Sequence, residues 1–96
     1  MRAARVDGNH GEIVRALRKI GATAKSTATI GQGFPDLVVG YRGINVLLEV
    51  KDGDKPPSAR RLTAAEQEFV DTWAGAVFTV TSPEHAVLVV VEAARK

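Results

Sequence analysis

Two β-rich runs, Asp36-Leu-Val-Val-Gly-Tyr41 and Ile44-Asn-Val-Leu-Leu-Glu-Val-Lys51, flank the dipeptide Arg42-Gly43. A short Gly-containing connection between two such runs predicts a β-hairpin. If Arg42-Gly43 is a two-residue loop, Tyr41 pairs with Ile44, Val39 with Val46 and Leu37 with Leu48. Those pairs share one wholly apolar face. The opposite face carries Gly40 against Asn45, Val38 against Leu47 and Asp36 against Glu49. A four-residue loop keeps this register, whereas a three- or five-residue loop shifts it. The register matters because a one-residue slip sends every side chain to the other face.

Directly opposed residues have Cβ atoms ~4.5–5.5 Å apart, and like charges there are destabilising. Two carboxylates so placed on an otherwise apolar hairpin must share a proton or hold a cation. Hard oxygen ligands suit Mg²⁺ or Mn²⁺. Lys51 lies two residues beyond Glu49, so its side chain leaves the same face. Two acids with a metal and an adjacent ammonium suit phosphate chemistry: a metal activates water, and a lysine stabilises developing negative charge. A lone Glu-x-Lys reads most simply as a solvated pair, and Pro35-Asp36 as a turn entry. The opposition of Asp36 to Glu49 argues for the site instead.

Around the hairpin the pattern is α-β-β-β-α-β-α. Ile13, Val14, Leu17 and Ile20 recur at helical spacing, with Asn9 as the expected cap and Gly21 as the stop. Residues 22–30 read as a strand and Gly31-Gln32-Gly33 as a loop without the signature of a phosphate-binding loop. A polar loop is expected over residues 52–61. Thr63-Ala-Ala-Glu66 is a capping-box pattern opening a second helix, for which Phe69, Val70 and Trp73 are the expected buried stripe, and Gly75 its stop. Residues 77–81 form the expected last strand. Ser82-Pro83-Glu84 then opens a final helix against the strand preference of Val87 and Val89, Val90 and Val91.

A chain of 96 residues with 45% hydrophobic and 25% charged residues reads as one globular domain. The absence of cysteine excludes disulfides and thiolate metal sites. Residues 1–17 are basic without a long apolar stretch behind them, so no secretory signal is expected and the cytoplasm is the expected compartment. The longest apolar run, residues 86–91, is too short to span a bilayer. The net charge of +2 permits nucleic-acid binding without arguing for it. Its clustering is more informative: Arg2, Arg5, Arg15, Arg18 and Lys19 crowd the front, and Lys51, Lys55, Arg60 and Arg61 the middle. His10 and His85 have no partners at ligand spacing and read as surface or capping residues.

Gly33-Phe34-Pro35-Asp36-Leu37-Val38-Val39 followed by Leu48-Glu49-Val50-Lys51 resembles the P-D…(D/E)-x-K nuclease superfamily. Within it the chain is most similar to the virus-type replication–repair nuclease domain, with archaeal-type Holliday junction resolvases as near relatives. The resemblance covers nearly the whole chain and implies a restriction-endonuclease-like core, with a mixed central sheet flanked by helices. It implies metal ligation by Asp36, Glu49 and the backbone carbonyl of Val50, with Lys51 as the catalytic lysine. It also implies that Gln67 positions water or phosphate and that Glu12 supports the metal from behind. A capping role for Glu12 and a plain surface role for Gln67 are the alternatives. The polar loop follows Lys51 directly, so Lys55, Arg60 and Arg61 are candidate phosphate contacts, with the front-helix basics, Arg15 among them, as a second set. The implied activity is Mg²⁺- or Mn²⁺-dependent cleavage of DNA, branched DNA or Holliday junctions included, by a homodimer of phage or mobile-element origin with no organic cofactor. The competing expectation is a catalytically silent DNA-binding module that keeps the fold.

Overall fold

The computed structural model describes residues 8–96. Arg2 and Arg5 of the front basic cluster lie outside them. The hairpin forms with the expected register: β2 (Leu37–Tyr41) and β3 (Ile44–Val50) are antiparallel and pair Tyr41 with Ile44, Val39 with Val46 and Leu37 with Leu48. Arg42 and Gly43 both adopt positive φ, 49° and 83°. That pair of left-handed residues marks a type I′ turn, whose twist matches the strands it joins. The sheet order is β1-β2-β3-β4: β1 (Thr23–Ser26) lies antiparallel to β2, and β4 (Val77–Val80) runs parallel to β3.

One face of this mixed sheet carries the core. Ala24, Leu37, Val39, Val46, Leu48, Val50 and Val80 pack against Ile13 and Leu17 of α1 (His10–Lys19) and Ala86 and Val90 of α3 (Pro83–Ala94). The two helices also contact each other. α1 ends where Gly21 takes a φ of 89°; its N–H reaches the Arg18 carbonyl, and the Ala22 N–H reaches that of Leu17, the pattern of a Schellman stop. α3 forms despite its valines. Ser82 Oγ accepts from the His85 N–H at 3.0 Å, and Ala86 and Val90 stand one turn apart toward the sheet. Tertiary burial here overrides strand propensity. No helix among the described residues is long and apolar enough to cross a membrane.

Four expectations change. The strand expected over 22–30 ends at Ser26, because Thr27 turns: its hydroxyl donates to the Pro35 carbonyl at 2.6 Å, and its carbonyl accepts from Ile30. Asn9 stands at the N-cap position but does not cap; its amide donates to the carbonyls of Lys51 and Thr81, tying the start of α1 to the ends of β3 and β4. The loop over 52–61 contains a single 3-10 turn, Pro57–Arg60. The largest change concerns α2 (Ala64–Thr72), which has its capping box but no buried residue. Trp73 is 45% exposed rather than in the core. Its ring stacks on Phe69 with centroids 4.7 Å apart, and Phe34 meets Phe69 edge-on at 5.1 Å. The aromatic stripe therefore docks α2 on the loop entering β2, away from the main core.

Gly33 makes that docking possible. It has a φ of 81°, and a Cβ added there would lie 2.4 Å from the Ala65 carbonyl oxygen and 2.9 Å from the Glu66 nitrogen. Gly43, with similar φ, has open space around the same position. We expect Gly43→Ala to lose only the cost of a left-handed non-glycine residue, about 1–2 kcal/mol. Gly33→Ala should lose on the order of 3 kcal/mol or more, because backbone strain and backbone overlap add. Denaturant melts of the two variants measure the difference; equal losses would show that α2 is not seated on Gly33.

Candidate active site

At its C-terminal end β3 is buried on both faces, from Val46 to Val50 without a break. Glu49, 2% exposed, is the one buried charged side chain among the described residues. β4 pairs beside it, with Thr79 in register. On the other side, the β2–β3 pairing stops at Leu37 and Leu48, and Asp36 takes over with different bonds. Its N–H donates to the Leu48 carbonyl at 3.0 Å. Its carboxylate Oδ2 accepts from the Val50 N–H at 2.7 Å. The Asp36 side chain thus stands in for a missing strand partner, which locks it against β3. Its carboxyl faces that of Glu49 closely enough to share a hydrogen bond.

The electrostatics follow from this crowding. Burial pushes the Glu49 carboxyl up to about 9, with further upward push from the hydrogen bond and negative charge of Asp36 and from Glu66; only Lys51 opposes. Lys51 Nζ lies 3.8 Å from Glu49 Oε2 and 2.9 Å from Glu66 Oε1. Glu66 behaves in the opposite sense. Partial burial works against its ionisation, but hydrogen bonds from the Thr63 backbone and the Lys51 ammonium hold it below the usual carboxylate range.

The structure therefore brings together Asp36, Glu49 and Lys51, with Val50 contributing its N–H. It does not bring Gln67 to them. Gln67 is exposed on α2 and donates to Asp71 Oδ1, one turn on, at 2.8 Å. The reason is helical phase: the capping box turns residue 66 inward, and its neighbour points elsewhere. Glu12 is exposed on the first turn of α1, where it lines a separate surface cavity with Asp52, Asp54 and Glu84. Arg15, Lys55 and Arg61 are exposed, and Arg60 is half-buried at the end of the 3-10 turn. His85 accepts from the Thr81 N–H through Nδ1, in keeping with a capping role. Glu66 is the residue that sequence reasoning overlooked. As the fourth residue of a capping box it already had a sufficient local role, and nothing in the chain signals its pairing with Lys51, fifteen residues earlier.

Among the described residues, no group of three or more His, Cys, Asp or Glu side chains is arranged to hold a metal ion. Two facing carboxylates still suit a hard divalent cation that takes its other ligands from backbone oxygen and water, as Mg²⁺ commonly does. The donor set at Asp36 and Glu49 fits such an ion. No protein-family model, curated protein or solved structure matches the chain.

The raised Glu49 carboxyl has a measurable sign. Between the ordinary value of 4.5 and about 9, the metal-free folded chain keeps a proton that the unfolded chain releases. The folded state then binds more protons, so stability falls as pH rises through this window. Chemical denaturation in chelator from pH 5 to 9 should show that decline, and Glu49→Gln should flatten it. A wild-type slope that Glu49→Gln leaves unchanged would assign the decline to other groups.

Proposed function

We propose that the chain is a Mg²⁺- or Mn²⁺-dependent nuclease that hydrolyses DNA phosphodiester bonds. The observation that carries this reading is a carboxylate sealed from water, Glu49, pressed against a second one, Asp36, with the Lys51 ammonium 3.8 Å from it. An acid pair this costly to bury is poorly explained as a stability device, because apolar residues of similar volume would do as well or better. Strongly perturbed acids gathered beside a cation are a mark of functional sites.

Asp36, Glu49 and the carbonyl of Val50 would hold the ion, which when bound would polarise the phosphoryl group and acidify a water. The remaining work falls to the protein's own groups. The Val50 N–H holds Asp36 in one orientation. Lys51 presents its ammonium to the negative charge that builds on the phosphate oxygens as the water oxygen bonds to phosphorus and the ester P–O bond breaks. The exposed cations Arg15, Lys55 and Arg61 can contact the DNA backbone without reading its sequence. Gln67 bonds to Asp71 and Glu12 lines a surface cavity with Asp52, Asp54 and Glu84, so this scheme assigns neither a step. A single domain of this size covers little of a duplex. A homodimer supplying two sites suits the cutting of paired strands, branched DNA included.

Two substitutions separate binding from chemistry. Asp36→Asn should abolish Mg²⁺ or Mn²⁺ binding in calorimetry. Lys51→Ala should keep metal binding, because an ammonium is no ligand, yet lose on the order of 10²–10³ in single-turnover cleavage. Linear and branched DNA, each with Mg²⁺ and with chelator, are the substrates to compare. Wild-type cleavage by Lys51→Ala would remove this hairpin from the chemistry.

A further inference from the structure

We infer that Glu66 is the positioning residue for Lys51, an inference that rests on the nuclease reading. A single oxygen, Oε1, accepts both the Thr63 N–H at 2.8 Å and the Lys51 ammonium at 2.9 Å. The Thr63 hydroxyl in turn accepts the Glu66 N–H at 3.2 Å. The first turn of α2 therefore fixes the carboxylate, and the carboxylate fixes the lysine. Gly33 lets this turn approach, because its missing Cβ would collide with the backbone of Ala65 and Glu66. The loop that delivers Asp36 thus also sets the height of Glu66.

A lysine has four rotatable bonds, and ordering it is entropically costly. The Lys51 ammonium also lies 3.8 Å from the Glu49 carboxyl, within ion-pair distance. A shorter Lys51–Glu49 pair would draw the ammonium onto the acid pair. Glu66 holds the Lys51 ammonium close to the acids, 2.9 Å from its own Oε1. Besides this contact with Lys51, Glu66 adds negative charge beside Glu49.

Glu66→Gln tests this, because glutamine at the same position supports a capping box while giving up the charge. The variant should keep its melting temperature within a few degrees. Its kcat should fall on the order of 10- to 100-fold with KM little changed, as expected for a misplaced catalytic group. A direct readout needs no cleavage: the two Hε protons of Lys51 should be inequivalent by NMR in the wild type and averaged in Glu66→Gln. Thr63→Ala, which weakens the helix start but keeps both charges, should retain the inequivalent signals and most of kcat. Unchanged Lys51 signals in folded Glu66→Gln would overturn the inference whatever the activity, and so would a changed signal with wild-type kcat. If the wild type itself cuts no DNA, the nuclease reading fails and the NMR signals alone decide whether Glu66 holds the lysine.

Discussion

Pairing of β2 with β3 through a turn of two left-handed residues settles which way every side chain on the hairpin points. An even-numbered connection sends Leu37, Val39, Val46 and Leu48 into the core beneath α1 and α3. By the same count it sends the side chains of Asp36, Glu49 and Lys51 to the opposite face. A fold built on burial and a site built on charge thus follow from one register. Neither can slip without the other, because the period of a strand is two residues.

The acid pair rests on a local exception to that regularity. The ladder ends at Leu37 and Leu48, and Asp36 replaces further strand pairing with its own carboxylate, bonded to the Val50 N–H. A backbone donor next to Glu49 is satisfied by the very group that crowds Glu49. β4 and its Thr79 close the other side. The result is a carboxyl with almost no water access and a negative neighbour, and both effects favour its neutral form.

The legible parts of this chain were those governed by short periods. Alternation and a Gly-containing dipeptide were enough for the hairpin register. The capping box at Thr63, the stop at Gly21 and the cap at Ser82 are local hydrogen-bond patterns that the sequence displays directly. The failures were tertiary. Asn9 looks like a cap but is drawn away by two carbonyls at the ends of distant strands. Trp73 looks like core, yet α2 packs on a loop rather than on the sheet, and no periodicity encodes that choice. Glu66 and Gln67 are adjacent in sequence, and only the three-dimensional placement of Lys51 decides which of them meets the site.

The burial of β3 also bears on the chain before it folds. Ile44–Val50 is a seven-residue stretch, rich in β-branched and aliphatic side chains, without proline or glycine. Such windows assemble readily between copies of a chain while they are exposed. The parallel partner β4 arrives only after residues 51–76 have been laid down, so this edge of β3 waits longer for cover than the hairpin edge does. Glu49 is the single ionisable group in the window, and in the open chain it is an ordinary ionised carboxylate. A charge inside such a window disfavours its assembly between copies, in the manner of a gatekeeper. The group that folding later seals away is thus also the one charge this window carries before it is covered.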